Sequence, residues 1–250
     1  MIYYFSGTGN SYQVAKLLGY LTQDKMQFIG KEFNLKVNDK KVGFVFPVHC
    51  YDVPEFIKNF IKTIQIDKDA YCYCILTCGG NSGNSLRTIK ELLAEKGVEL
   101  AYSKVVSLPD NILRFWGKNY DYNLLTTYKE QVLSIGDDLN RAVRNEIVYN
   151  NYWWNKLKNK LSWIFIRHSL SPKTVDDTCI NCKQCLNLCP TNNFKESDKK
   201  ISFRSDDNCT YCLSCIQWCP KAAIRFGGHS LENKQYHHPE LIVNELFKRW

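Results

Sequence analysis

Eight cysteines between Cys179 and Cys219 fall into two runs of one design, CINCKQCLNLCP and CTYCLSCIQWCP: C-x2-C-x2-C-x3-C-P written twice, the second copy thirty residues after the first. A cubane of four irons and four sulfides presents iron corners that three thiolates on a short, tightly wound loop can reach. The fourth thiolate has to come from elsewhere, and in a two-cluster module the fourth Cys of each run ligates the other cluster. The spacing therefore assigns Cys179, Cys182, Cys185 and Cys219 to one [4Fe-4S] cluster, and Cys209, Cys212, Cys215 and Cys189 to a second. Zinc would also take four thiolates, but structural zinc sites pair two C-x2-C knuckles across a longer spacer and have no use for a third Cys followed by x3-C-P. Disulfide frameworks suit small secreted chains rather than one of this length.

With all eight ligand positions and both prolines in place, the stretch resembles the bacterial-type ferredoxins with two [4Fe-4S] clusters. It departs from them at Thr191, Asn192 and Asn193, where the first run lacks the small residues seen in the second as Ala222 and Ala223. Packing and hydrogen bonding should differ there, so the two clusters are expected to differ in potential.

A second chemical signal stands at the N-terminus. The apolar run Ile2 to Phe5 breaks into Ser6, Gly7, Thr8, Gly9, Asn10 and Ser11, and helical periodicity follows through Val14, Ala15, Leu17, Leu18 and Leu21. Strand, hydroxyl-and-glycine loop and helix make an anion-binding arrangement: the glycines let the chain turn tightly, and free N–H groups at the helix start point at a phosphate. Three hydroxyls add donors without adding charge. A dinucleotide fingerprint is spoiled by Tyr12 where Gly or Ala belongs, a Walker loop lacks its G-K-[ST], and an ordinary strand-to-helix turn stays open. The loop resembles the S/T-x-T-G-x-[ST] phosphate loop of flavodoxins, which implies FMN.

These residues need a scaffold. Candidate strands at Met26 to Ile29, Val42 to Phe46, Tyr71 to Thr77 and Val98 to Ser107 join the first one, each near-continuously apolar as doubly covered parallel strands should be. Helices fall between them: one after a capped start at Asp52-Val53-Pro54-Glu55 running to Ile64, one from about Asn84 to Lys96 stopped by Gly97, and one on the apolar repeat from Leu125 to Val143. Glu32 to Lys40 is too short for a full crossover helix. The fold class expected is α/β, a flavodoxin-like doubly wound five-stranded parallel sheet, followed by a small α+β ferredoxin domain with two clusters.

In such a sheet ligands sit beyond the carboxyl ends of the strands, at the switch in strand order. Besides the phosphate loop, two loops fall at that edge: Pro47, Val48, His49, Cys50 and Tyr51, with aromatics able to cover a flavin face, and Thr77, Cys78, Gly79, Gly80, Asn81, Ser82, Gly83 and Asn84, whose glycines let backbone approach the ring edge. A long loop, Pro109 to Asn123, adds Asn111, Phe115, Trp116 and Tyr120, as a lid, a partner surface or simply an ordered aromatic loop. Cys72 and Cys74 read as small buried residues, whereas Cys50 and Cys78 lie in the flavin loops.

The domains expected are 1–148 for flavin, 149–175 as a basic amphipathic linker helix, and 176–250 for the clusters with a C-terminal tail. On the linker, Trp154, Leu157, Leu161, Ile164, Phe165 and His168 make an apolar stripe; Lys156, Lys158, Lys160 and Arg167 lie mostly off it, and no acid occurs between Glu146 and Asp176. Docking of the two domains is the favoured use, ahead of membrane-surface contact through 153–168 or an acidic redox partner. Ala223 to Phe226 reads as a short closing strand. His237 and His238 in the tail have no evident third ligand.

The formal charge of +8 invites a nucleic-acid reading, but two oxidised clusters and a flavin phosphate bring the holoprotein to roughly +2, and no nucleic-acid-binding motif is present. Nothing marks the chain for export and no apolar run is long enough to span a bilayer, so a reducing cytoplasm is the expected compartment. As a whole the chain resembles fusions of a flavodoxin-like domain with a two-cluster ferredoxin. That resemblance implies an electron-transfer protein passing single electrons between FMN and two clusters, to or from an external redox partner protein. The alternative is a flavin-dependent reductase of a small molecule, fed by the clusters, with His49, Asn111 or Trp116 lining a pocket.

Overall fold

The computed structural model describes residues 1–30, 36–112, 115, 118–148, 152–205, 207, 209–242 and 245. Expectations for Glu32 to Leu35 and for Trp116 lie outside the described residues.

The first half builds β1 (Ile2–Tyr4), α1 (Asn10–Thr22), β2 (Met26–Phe28), β3 (Lys36–Val37), β4 (Lys41–Pro47), α2 (Glu55–Thr63), β5 (Gln65–Ile66), β6 (Tyr71–Cys78), α3 (Ser85–Ala94), β7 (Leu100–Ser107) and α4 (Leu124–Asn140). Five strands form one sheet in the order β2-β1-β4-β6-β7, parallel at every pairing. Counting only those five, this is the 2-1-3-4-5 order of a flavodoxin-like fold, with its switch between β1 and β4. The apolar runs explain the layering: Val42, Phe44, Val45 and Phe46 on β4 and Cys72, Cys74, Ile75 and Leu76 on β6 are fully buried, as strands covered on both faces must be.

Local readings differ at three places. Asp52 does not cap α2: Pro54 stands at the N-cap without a side-chain bond. The Asp52 carboxylate instead accepts from the Val53 amide, Lys58 and Thr88, tying α2 to α3. The last strand begins at Leu100 rather than Val98, because Gly97 in the left-handed region uses that stretch to close α3, with Val98 N donating to Leu93 O. Helix α4 ends at Asn140, short of Val143, where Ala142 adopts positive φ.

The second half comprises α5 (Tyr152–Ser169), β8 (Lys173–Val175), α6 (Gln184–Leu188), β9 (Phe194–Ser197), β10 (Lys200–Phe203), α7 (Ser214–Gln217) and β11 (Ile224–Phe226). Strand β8, in the stretch read from sequence as linker, pairs antiparallel with β11, and β9 pairs antiparallel with β10. The duplication in sequence recurs in the backbone at the same thirty-residue offset. Asn181 and Tyr211, Lys183 and Leu213, and Asn192 and Ala222 take matching positive φ values, so each cysteine run winds through the same left-handed kinks, two before its short helix and one after it.

Compactness divides the chain into two units. The first holds Met1–Ser6, Asn10–Asp110 and Asp121–Lys160; the second holds Gly7–Gly9, Asn111–Tyr120 and Leu161–Trp250. The tip of the glycine turn after β1 and most of the loop after β7 thus belong with the cysteine runs.

The apolar stripe of α5 lies on its exposed side. Trp154, Leu157, Leu161, Ile164 and Phe165 are exposed, and Asn155 and Ile166 are the buried side chains of α5. Burying the asparagine side turns the apolar stripe to solvent.

Candidate cluster and phosphate sites

Cys179, Cys182, Cys185 and Cys219 line one cavity of the second unit, with Ile180 and Pro220 also in its wall. The Cys185 thiol is pushed up to about 12, first by burial and then by the nearby sulfurs of Cys182, Cys179 and Cys219. Burial likewise pushes Cys212 up to about 12, with Cys189 and Cys209 as its sulfur neighbours, and Cys215 is raised by burial and by Cys212, Cys209, Cys189 and Cys185. Cysteines of each run thus lie beside the last cysteine of the other, and Cys185 and Cys215 also neighbour one another. Among the described residues no three His, Cys, Asp or Glu side chains converge tightly enough to hold a single ion.

Backbone amides reach the sulfurs symmetrically. Asn193 N donates to Cys189 Sγ at 3.2 Å and Ala223 N to Cys219 Sγ at 3.3 Å. The departure noted at Thr191 to Asn193 breaks the symmetry: the Thr191 hydroxyl also lies 3.6 Å from Cys189 Sγ, while Asn193 bonds through its side chain to Ser205.

Ser6, Thr8, Asn10 and Ser11 are buried, with Gly7 and Gly9 between them. The carbonyl edge of this turn is engaged within the second unit. Gly7 O accepts from Ser214 Oγ and from Trp218 Nε1, both at 3.0 Å, and Thr8 O accepts from His238 N. The amide edge is not: the Gly7 and Thr8 N–H groups donate no hydrogen bond among the described residues. Buried amides are rarely left so, and a phosphate at the start of α1 would satisfy them, so the residues present fit that group. Only glycine fits at position 7, where an added Cβ would stand 2.5 Å from the carbonyl oxygen of Cys212. Asn111 holds the Thr8 hydroxyl through its amide and is itself held by Gln217.

In the first unit, Ser11 Oγ and Thr77 Oγ1 share a buried bond of 2.7 Å, joining the start of α1 to the end of β6, and Asn10 bonds to Pro109 O. The 47–51 loop ends in a tight turn closed by His49 and Asp52, with Cys50 and Tyr51 both at positive φ. That is the conformation for which glycine or asparagine is usual. The turn is held from outside: Tyr51 O accepts from Asn84 N, Cys50 O from Asn159 Nδ2, and a Cβ at Gly83 would strike Tyr51 O. Pro47, Val48 and His49 are half-buried, Gly79, Gly80 and Asn81 are exposed, and the Cys78 thiol is raised by burial. The loops at 47–51 and 77–83 are therefore cross-tied to each other.

Sequence reasoning missed Ser214, Trp218 and Gln217, which sit inside the second cysteine run and grip residues 7 and 111. Trp218 also stacks on His237, ring centroids 3.8 Å apart, which gives the tail histidine a packing role; burial lowers its pKa. The signal available was the polar Ser, Gln and Trp between the last cysteines.

Residues 171–220 match the family described as 4Fe-4S dicluster domain. The chain thus joins a flavodoxin-like sheet, assigned from its strand order, to a dicluster ferredoxin module. No curated protein matches the chain. Solved structures similar to it include an FMN-dependent NADH-azoreductase from Bacillus anthracis in complex with FMN, at 11% identity and TM-score 0.39 over 55% of this chain and 97% of that one. The Trp repressor binding protein from Bacillus subtilis follows at 12%, TM-score 0.38, 59% and 100%, and azoreductase AzrA at 10%, TM-score 0.36, 64% and 99%. Likeness at this level carries no functional argument. No helix among the described residues is long and apolar enough to cross a membrane.

Proposed function

We propose that the chain is an electron-transfer flavoprotein that passes single electrons between FMN and two [4Fe-4S] clusters, and exchanges them with an external redox partner. FMN, when bound, takes one or two electrons, and each cluster takes one, so the pair would convert between paired and single-electron traffic. Residues 6–11 would hold the phosphate through backbone N–H groups and hydroxyls, and the loops at 47–51 and 77–83 would frame the ring. Cys179, Cys182, Cys185 and Cys219 would hold one cluster, and Cys209, Cys212, Cys215 and Cys189 the other. The domain boundaries that go with this reading are 1–148 and 176–250, with 149–175 between them.

The observation that carries the proposal is the grip of the second cysteine run on the glycine turn. Ser214 and Trp218 flank Cys215 and both donate to Gly7 O, so one short stretch of chain would serve a cluster through its sulfurs and a phosphate loop through its donors. Burial around Cys212 and Cys215 excludes water there, which keeps reorganisation small when charge changes.

Anaerobic purification with iron, sulfide and flavin analysis tests it: about eight irons and eight sulfides and one FMN per chain are expected. About four irons, or an adenine-containing flavin, would contradict it.

A further inference from the structure

Helix α5 is built inside out. At 3.6 residues per turn, Trp153, Trp154, Leu157, Leu161, Ile164 and Phe165 share an arc roughly 120° wide, and all six are exposed, from 46% at Leu157 to 75% at Trp153. Of the twelve exposed large apolar side chains among the described residues, six are these, so half of them are concentrated on this one helix. Its opposite arc is fixed by polar groups. Asn159 donates to Cys50 O at 2.7 Å, Tyr152 O accepts from Asn84, and Asn155 is 4% exposed. The inward face is thus occupied, and the apolar arc cannot turn in without breaking those bonds.

Charge says what should cover the arc. Lys156, Lys160 and Arg167 border it on one side and Lys158 on the other, all exposed, and no acidic residue lies between Glu146 and Asp176. The helix extends about 27 Å. An apolar stripe with two tryptophans, bordered on both sides by cations and free of acids, matches an acyl boundary under anionic headgroups. A second copy of the same helix would bring like charges together, and a protein partner of ordinary surface would leave most of the stripe's apolar area wet.

We propose that α5 lies flat on an anionic lipid bilayer through this arc and holds the protein at the membrane surface. The inference is independent of which cofactors the sites bind.

The test uses the full-length holoprotein with vesicles of phosphatidylcholine alone or mixed with about one quarter phosphatidylglycerol, read by co-sedimentation and tryptophan emission. Sedimentation with the anionic vesicles only, weakened by salt, and a blue-shifted emission are expected. Leu161→Asp with Ile164→Asp should abolish sedimentation, and Lys156→Gln with Lys160→Gln should weaken it by about 5-fold per charge removed, both with iron and flavin content unchanged. Protein that stays in the supernatant with every vesicle, or that forms a dimer in solution lost in the Leu161/Ile164 variant, would overturn the proposal. A variant that loses its cofactors is replaced by Ile164→Ser alone, which must still reduce binding.

Discussion

The indole Nε1 of Trp218 donates to the carbonyl oxygen of Gly7 at 3.0 Å, across 211 residues of chain. The same carbonyl accepts from Ser214 Oγ. Replacing Trp218 by Phe keeps a ring to stack on His237 and removes one donor. A neutral bond is worth about 0.5–1.5 kcal/mol, so FMN affinity should fall roughly 2- to 10-fold while iron content stays constant, as measured by fluorescence titration of the flavin-depleted protein.

Gly7→Ala is expected to be harsher. The new methyl meets a backbone oxygen of Cys212 rather than the end of a flexible side chain. Overpacking of this kind costs about 1–3 kcal/mol, and thermal unfolding should show it as a lowered midpoint. Because the displaced oxygen belongs to Cys212, a ligand in the proposed assignment, the cluster's electron paramagnetic resonance signal should change as well.

Thr191 offers a handle on one cluster alone. Once Cys189 is a metal-bound thiolate, the Thr191 hydroxyl near its Sγ can only donate, which favours the more negative, reduced cluster. Thr191→Val should therefore lower one cluster potential and leave the other in place. Taking a hydrogen bond as roughly 0.5–1.5 kcal/mol and one electron, the shift is tens of millivolts; spectroelectrochemistry would resolve it.

Alkaline stability follows from the sheet core. Burial raises Tyr71 to about 12 from 10.0, and its hydroxyl donates to Val143 O; burial also raises Cys72 to about 12 from 9.0. Both groups are neutral in the fold, so their contribution is complete below pH 9 and is lost as pH climbs from 9 toward 12. Tyr71→Phe should cost about 1 kcal/mol near neutrality and flatten the fall above pH 10 in denaturant titrations.

What the sequence made legible was whatever is local. The positions of the strands and the doubled cysteine spacing rest on runs of a few residues, and both could be read before any coordinates. The contact of Gly7 with Cys212 could not, because nothing in either segment encodes a partner some two hundred residues away. The turn at Cys50 and Tyr51 was hidden for another reason: neither residue favours positive φ, and the conformation is imposed by Asn84, Asn159 and the space at Gly83. On α5 the apolar stripe was visible but its direction was not, since the pattern alone does not say that Asn155 faces inward.

Flash reduction of the flavin in the intact holoprotein, followed by absorbance at flavin and cluster wavelengths, tests the electron path most directly. The account predicts a first-order transfer from flavin to cluster whose rate does not change with protein concentration and which slows in Gly7→Ala. A rate that grows in proportion to concentration, showing that electrons pass only between separate molecules, would contradict it.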